Sequence, residues 1–90
     1  MVKRKIIWSC RAKKKLYTIL ESKIRREKNK SSAITLYKAI SKGIKIIRKY
    51  PELGIRTSVN LIYGFIIASY IVFYEISADR IIVHAIRENK

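Results

Sequence analysis

The 90-residue chain has one cysteine, one proline, one histidine, three glycines and six acidic residues. Each scarcity excludes something. With Cys10 alone, no intramolecular disulfide can form, and a reducing compartment is expected. One His and one Cys cannot supply a zinc ligand set, and the carboxylates are scattered along the chain. Gly43, Gly54 and Gly64 stand apart, so no glycine loop cradles a phosphate, and Gly54 after Pro51-Glu52-Leu53 reads as a turn residue. Cys10 has no His-Asn or His-Asp pair behind it and reads as a helix-start residue, not a nucleophile. No metal and no cofactor are expected.

Long apolar runs are also scarce. Val59 to Tyr74 carries no charge, but a spanning helix needs about 20 apolar residues. The run is shorter and dense in Ile, Val, Phe and Tyr, which favour strands. Asn60 and Tyr63-Gly64 punctuate it, predicting two strands joined by a tight turn. At the N-terminus, Met1-Val2-Lys3-Arg4-Lys5 has the charge of a signal peptide, but only Ile6-Ile7-Trp8 follows, too short for its apolar region. The expected location is the cytoplasm, with no membrane partner.

What the chain has in excess is positive charge. Twenty-one Lys and Arg against six Asp and Glu give a formal +15. A solubilising surface needs a net charge of only about 2–8, so this field predicts a polyanionic or acidic partner. Hydrophobic residues make up 49% of the chain, normal for a folded protein. The length suits one domain over residues 1–90. Such a chain has no second lobe with which to enclose a substrate. Any site must lie on an open face or a sheet edge.

Periodicity divides the chain into elements. Residues 4–9 read as a short strand, and the Ser9 hydroxyl is placed to cap a helix. From Cys10 to about Lys28, Ala12, Leu16, Ile19, Leu20 and Ile24 recur at helical spacing. Asn29-Lys30-Ser31-Ser32 breaks the pattern and offers a second cap. Ala33, Leu36, Tyr37, Ile40, Ile44 and Ile47 then mark the apolar face of a second helix. It must end near Tyr50, because Pro51 disfavours helical geometry in the residue before it. Beyond Gly54 the period changes, and Thr57–Tyr63, Ile66–Ile76 and Arg80–Arg87 read as strands, the last two joined at Ser77-Ala78-Asp79. The order β-α-α-β-β-β is an α+β fold, with a helical hairpin packed on one face of a small, mainly antiparallel sheet.

The basic residues form two groups. Lys13, Lys14, Arg25, Arg26, Lys28 and Lys30 lack interleaved aromatics and read as a solvated face, with phosphate contact as the rival. Arg56, Arg80, Arg87 and Lys90 flank strands, where they are candidates for gripping a phosphate or another target group. Tyr63, Tyr70 and Tyr74 read as core, with base stacking as the alternative. His84 alternates with Ile82 and Ile86 on the last strand and reads as a core or edge residue in preference to a general base. Tyr70, Val72 and Tyr74 oppose Ile71, Phe73 and Glu75 across one strand. Both faces are apolar, yet the hairpin can cover only one. The other is a patch inviting a partner.

Lys5-Ile6-Ile7-Trp8-Ser9 followed by Arg11-Ala12-Lys13-Lys14 resembles the opening strand and helix of ParE-type toxins. Tyr50-Pro51-Glu52-Leu53-Gly54 resembles their exit from the second helix. Tyr70 to Ile76 and Arg80 to Arg87 look like their third and fourth strands, so the resemblance spans nearly the whole chain. The RelE/ParE superfamily implies a growth-inhibiting toxin of a type II toxin–antitoxin pair, held in a hetero-oligomer by an antitoxin that wraps the hairpin and sheet. Ile67, Ile71 and Phe73 are the expected antitoxin contacts.

The superfamily divides by target. RelE-like members cut messenger RNA on the ribosome, and ParE-like members inhibit DNA gyrase. RelE-like nucleases carry an Arg four residues before the Tyr opening the third strand, or immediately after it; this chain has Ile66 and Ile71. Where some nucleases end in His-Tyr, it has Asn89-Lys90. The favoured expectation is therefore a ParE-like toxin without nuclease chemistry. One alternative is a ribosome-dependent endoribonuclease with a rearranged set of Arg56, Tyr63, Arg87 and Lys90. The other is a basic nucleic-acid-binding module without toxicity.

Overall fold

The computed structural model describes residues 4–89. The elements are β1 (Lys5–Trp8), α1 (Cys10–Glu27), α2 (Ser31–Lys49), a single 3-10 turn (Pro51–Leu53), β2 (Ile55–Arg56), β3 (Ile62–Ile67), β4 (Tyr70–Ile76) and β5 (Arg80–Glu88). The strands lie in the order β1-β5-β4-β3-β2, with β1 parallel to β5 and the other pairs antiparallel. This is the expected α+β fold, with one further short strand, β2.

Local chemistry explains the boundaries. The Ser9 hydroxyl accepts the Ala12 N–H at 3.1 Å and donates to the His84 carbonyl at 3.2 Å, capping α1 and tying it to β5. Lys28 takes a left-handed φ of 56° and ends α1. The second cap differs from expectation. Lys30 occupies the cap position without a side-chain bond, and the Asn29 side chain instead accepts the Ser31 N–H at 2.9 Å.

Both helices lie on one face of the sheet. Leu16 and Ile19 of α1 meet Leu36, Ile40, Ile44 and Ile47 of α2 over Ile67, Tyr70, Val72, Tyr74, Ile81, Val83 and Ile86. Tyr37, expected on the apolar face of α2, is 51% exposed at its margin. Helix α2 approaches the sheet tightly at Gly43, where a Cβ would stand 2.5 Å from Ile67 Cδ1.

Three strand expectations are corrected. The hairpin turn lies at Ala68-Ser69, between the paired residues Ile67 and Tyr70, and not at Tyr63-Gly64. Ala68 takes a φ of 55° there, a conformation that alanine does not advertise in a sequence. Ile66–Ile76 is accordingly two strands. Residues 57–61 are a loop, fastened where the Thr57 hydroxyl donates to the Ile62 carbonyl at 2.8 Å. Finally, the β4–β5 register shifts between Phe73 and Tyr74, so Ile86 turns to the helical face and no longer shares a face with Ile82 and His84.

Candidate functional site

The uncovered face of the sheet is built by alternation. Strand β4 presents Ile71, Phe73 and Glu75, flanked on β3 by Ile66, Gly64 and Ile62 and on β5 by Arg87, Ala85 and Ile82. A Cβ on Gly64 would meet Ile71 Cδ1 at 3.0 Å, so the glycine leaves room for the side chains of its neighbour strand. Ile7 of β1 and Ile55 of β2, 43% and 63% exposed, extend the apolar surface to both edges.

Two polar contacts mark this face. His84 Nε2 stands 2.7 Å from Glu75 Oε1, and both side chains are partly exposed. Alternation from Ile82 puts the imidazole here, so His84 belongs to the open face and not to the core, and the register shift moves Ile86 instead. The Arg87 guanidinium lies 5.2 Å from the centre of the Phe73 ring, a cation–π contact that fixes its direction.

The expected site residues do not converge. Arg56 is exposed and pairs with Tyr63, which belongs to the helical face and stacks on Tyr74 at 5.7 Å between ring centres. Arg87 pairs with Ile71 on the opposite face, three strands away. Arg80 opens β5 seven residues before Arg87, roughly 23 Å along the strand. Its fork grips Asp79 at 3.1 and 3.3 Å and holds that carboxyl below its usual range, while its own value is raised by the same bonds. Lys90 lies outside the described residues.

Of the expected antitoxin contacts, Ile71 and Phe73 are half-buried on the open face. Ile67 is a correction: it is 6% exposed and packs under α2 against Gly43, because alternation along β3 turns it inward. Tyr70 and Tyr74 are core residues, with no ring surface free for stacking. The two Tyr74 bonds to the turn keep its hydroxyl satisfied, and burial raises its pKa despite the lowering contribution of the Gly54 N–H.

A second concave surface was not legible in the sequence. A groove of about 370 Å³ runs between the two helices and β1, lined by Trp8, Tyr17, Tyr37 and Ile44 with Lys45 and Arg48 on its rim. Tyr17 and Tyr37 are each about half exposed, and both stand just off the apolar stripe of their helices. That offset was the available signal. Among the described residues, no group of three His, Cys, Asp or Glu could hold a metal ion. No helix among them is long and apolar enough to cross a membrane.

Comparison with known proteins agrees in fold and family. The family model for the ParE toxin of the type II toxin–antitoxin system, parDE, matches residues 6–90. No curated protein matches. Eight chains of solved structures do. One, described as the chromosomal ParDE TA system from P. aeruginosa, superposes with a TM-score of 0.83 over 98% of each chain at 12% identity. Identity that low carries the fold alone.

Proposed function

The chain belongs to the ParE toxin family of type II toxin–antitoxin systems, and from that premise we propose that it arrests growth by binding DNA gyrase and is neutralised by a cognate antitoxin. The observation that supports a binding protein over a nuclease is the scatter of Arg56, Tyr63 and Arg87 over two faces of the sheet. Acid–base help to RNA cleavage needs its groups within hydrogen-bond reach of one reacting centre. These three cannot meet around one.

For the antitoxin, two surfaces support the reading. The helix–β1 groove offers aromatic and aliphatic walls under a basic rim, which suits an amphipathic segment with acidic flanks. The open face adds Ile71 and Phe73. Together they would bind the toxin in a cytoplasmic hetero-oligomer.

Induction in bacteria tests the proposal. Growth arrest with inhibited gyrase supercoiling and intact messages is expected. Arrest with cleaved messages and unaffected gyrase would overturn the gyrase reading. A second reading, ribosome-dependent RNA cleavage, draws support from the His84–Glu75 pair on the open face. It requires that His84→Ala abolish message cleavage while the protein stays folded.

A further inference from the structure

Positive charge is segregated within the molecule. Residues 10–49, which hold both helices and their linker, carry fourteen Lys and Arg against two Glu; residues 50–90 carry four of each sign. Residues 50–90 are neutral, twelve of the fifteen net charges belong to the helices and their linker, and the other three are Lys3, Arg4 and Lys5 at the start of the chain. On α2 the separation is complete. It has no acidic residue, and Lys38, Lys42, Lys45 and Lys49 follow at steps of four, three and four. At about 100° per residue they fall in one stripe, on the side directly away from the buried Leu36, Ile40, Gly43, Ile44 and Ile47.

All four lysines are exposed. Among the described residues none has a carboxylate partner, since the ion pairs there are Lys23–Glu27, Arg80–Asp79 and His84–Glu75. The stripe spans about 16 Å, a length over which one strand of a duplex presents about five phosphates. On α1, Arg11, Lys14 and Arg25 are exposed on the side away from the core, with Glu21 among them. No local pairing accounts for so dense an array of like charge.

We propose that the outward face of the helical hairpin is a docking surface for the phosphate backbone of duplex DNA. Backbone contact, without base readout, matches an array of point charges on a convex helical surface. Single strands are held by rings that stack on successive bases, whereas no aromatic residue interleaves these lysines and the Tyr50 ring meets only Lys49 at the end of the stripe. A protein partner is served by the apolar groove around Tyr17 and Tyr37, which meets the stripe only at its edge, through Lys45. The inference does not depend on gyrase being the target.

Binding of the full chain to a short labelled duplex, measured over a salt series, tests it. Two triple variants remove equal charge: Lys38→Gln/Lys42→Gln/Lys45→Gln on the helix, and Arg56→Gln/Arg80→Gln/Arg87→Gln on the sheet. Glutamine preserves helix propensity, so the helical set should stay folded. The helical triple is expected to flatten the slope of log K against log salt by about 2.7, and the sheet triple by less than about one. Should the triple fail to fold, Lys42→Gln alone is expected to flatten the slope by about 0.9. Equal losses in both triples would reduce the effect to net charge and overturn the proposal. So would tighter binding of a single strand or of polyglutamate than of the duplex, or no saturable binding at about 0.15 M salt.

Discussion

Tyr74 couples the sheet to the chain segment leaving α2. Its phenol is fully buried, donates to the Pro51 carbonyl at 2.6 Å and accepts the Gly54 N–H at 3.1 Å. Gly54 permits this approach, since a Cβ there would stand 2.5 Å from the phenol oxygen. Tyr74→Phe keeps the ring but leaves a donor and an acceptor without this partner, so chemical denaturation should show a loss of about 2 kcal/mol. The same group gives a pH signature. Burial raises the phenol pKa in the folded state, so the unfolded chain loses this proton first as pH rises. The contribution is therefore complete below about pH 10 and is lost as pH climbs through the higher folded value. Denaturation midpoints across that alkaline window should fall more steeply for the native chain than for Tyr74→Phe. Of this arrangement the sequence shows Pro51 and Gly54 as turn residues; a partner twenty positions beyond Gly54 is visible only once β4 lies beside the turn.

At the scale of elements, the contact of α2 with β3 decides how closely hairpin and sheet approach. Helix propensity alone predicts that Gly43→Ala stabilises, by about 1 kcal/mol. Packing opposes it, because the new methyl would meet Ile67 Cδ1 and Cγ1 at 2.5 and 2.7 Å. Ile67 is β-branched and enclosed, so its side chain has little freedom to yield. A net loss of about 1–2 kcal/mol is expected. Adding Ile67→Val, which removes Cδ1, should recover part of it in a double-mutant cycle. A stabilised Gly43→Ala would refute this account of the contact. The β4–β5 bulge acts at the same scale. It sends Ile86 into the core and leaves His84 beside Glu75, where strict alternation from Ile82 keeps Ile82, His84 and Ile86 together.

For the whole molecule, the two proposed partner surfaces are distinct in chemistry. The groove beside β1 is apolar with a basic rim, whereas the outward stripe of α2 is a row of lysines. Tyr37 supplies a half-exposed ring to the groove and is absent from the core cluster. Tyr37→Ala should therefore leave thermal stability within about 0.5 kcal/mol of the native value. On the antitoxin reading it should weaken antitoxin binding by about tenfold or more in calorimetry. Undiminished binding would remove the groove as the antitoxin seat.

The sequence by itself determined the apolar stripes of both helices, the helix stop before Pro51, the strand-rich C-terminal half and the alternation of Tyr70, Val72 and Tyr74 with Ile71, Phe73 and Glu75. These are local periodicities, fixed by 3.6 residues per helical turn and two per strand repeat. The resemblance to ParE-type toxins was legible in the order of its motifs, and the family match bears it out. Tertiary structure decided the rest. Ala68-Ser69 became the turn because β3 and β4 pair from Ile62–Glu75 to Ile67–Tyr70, a register that Tyr63-Gly64 cannot close. Sheet geometry separated Arg56 and Tyr63 from Arg87, since residues distant in sequence share a site only when pairing puts them on one face. Helical spacing places the lysines of α2 in one stripe, and the packing of the opposite side on the sheet turns that stripe outward.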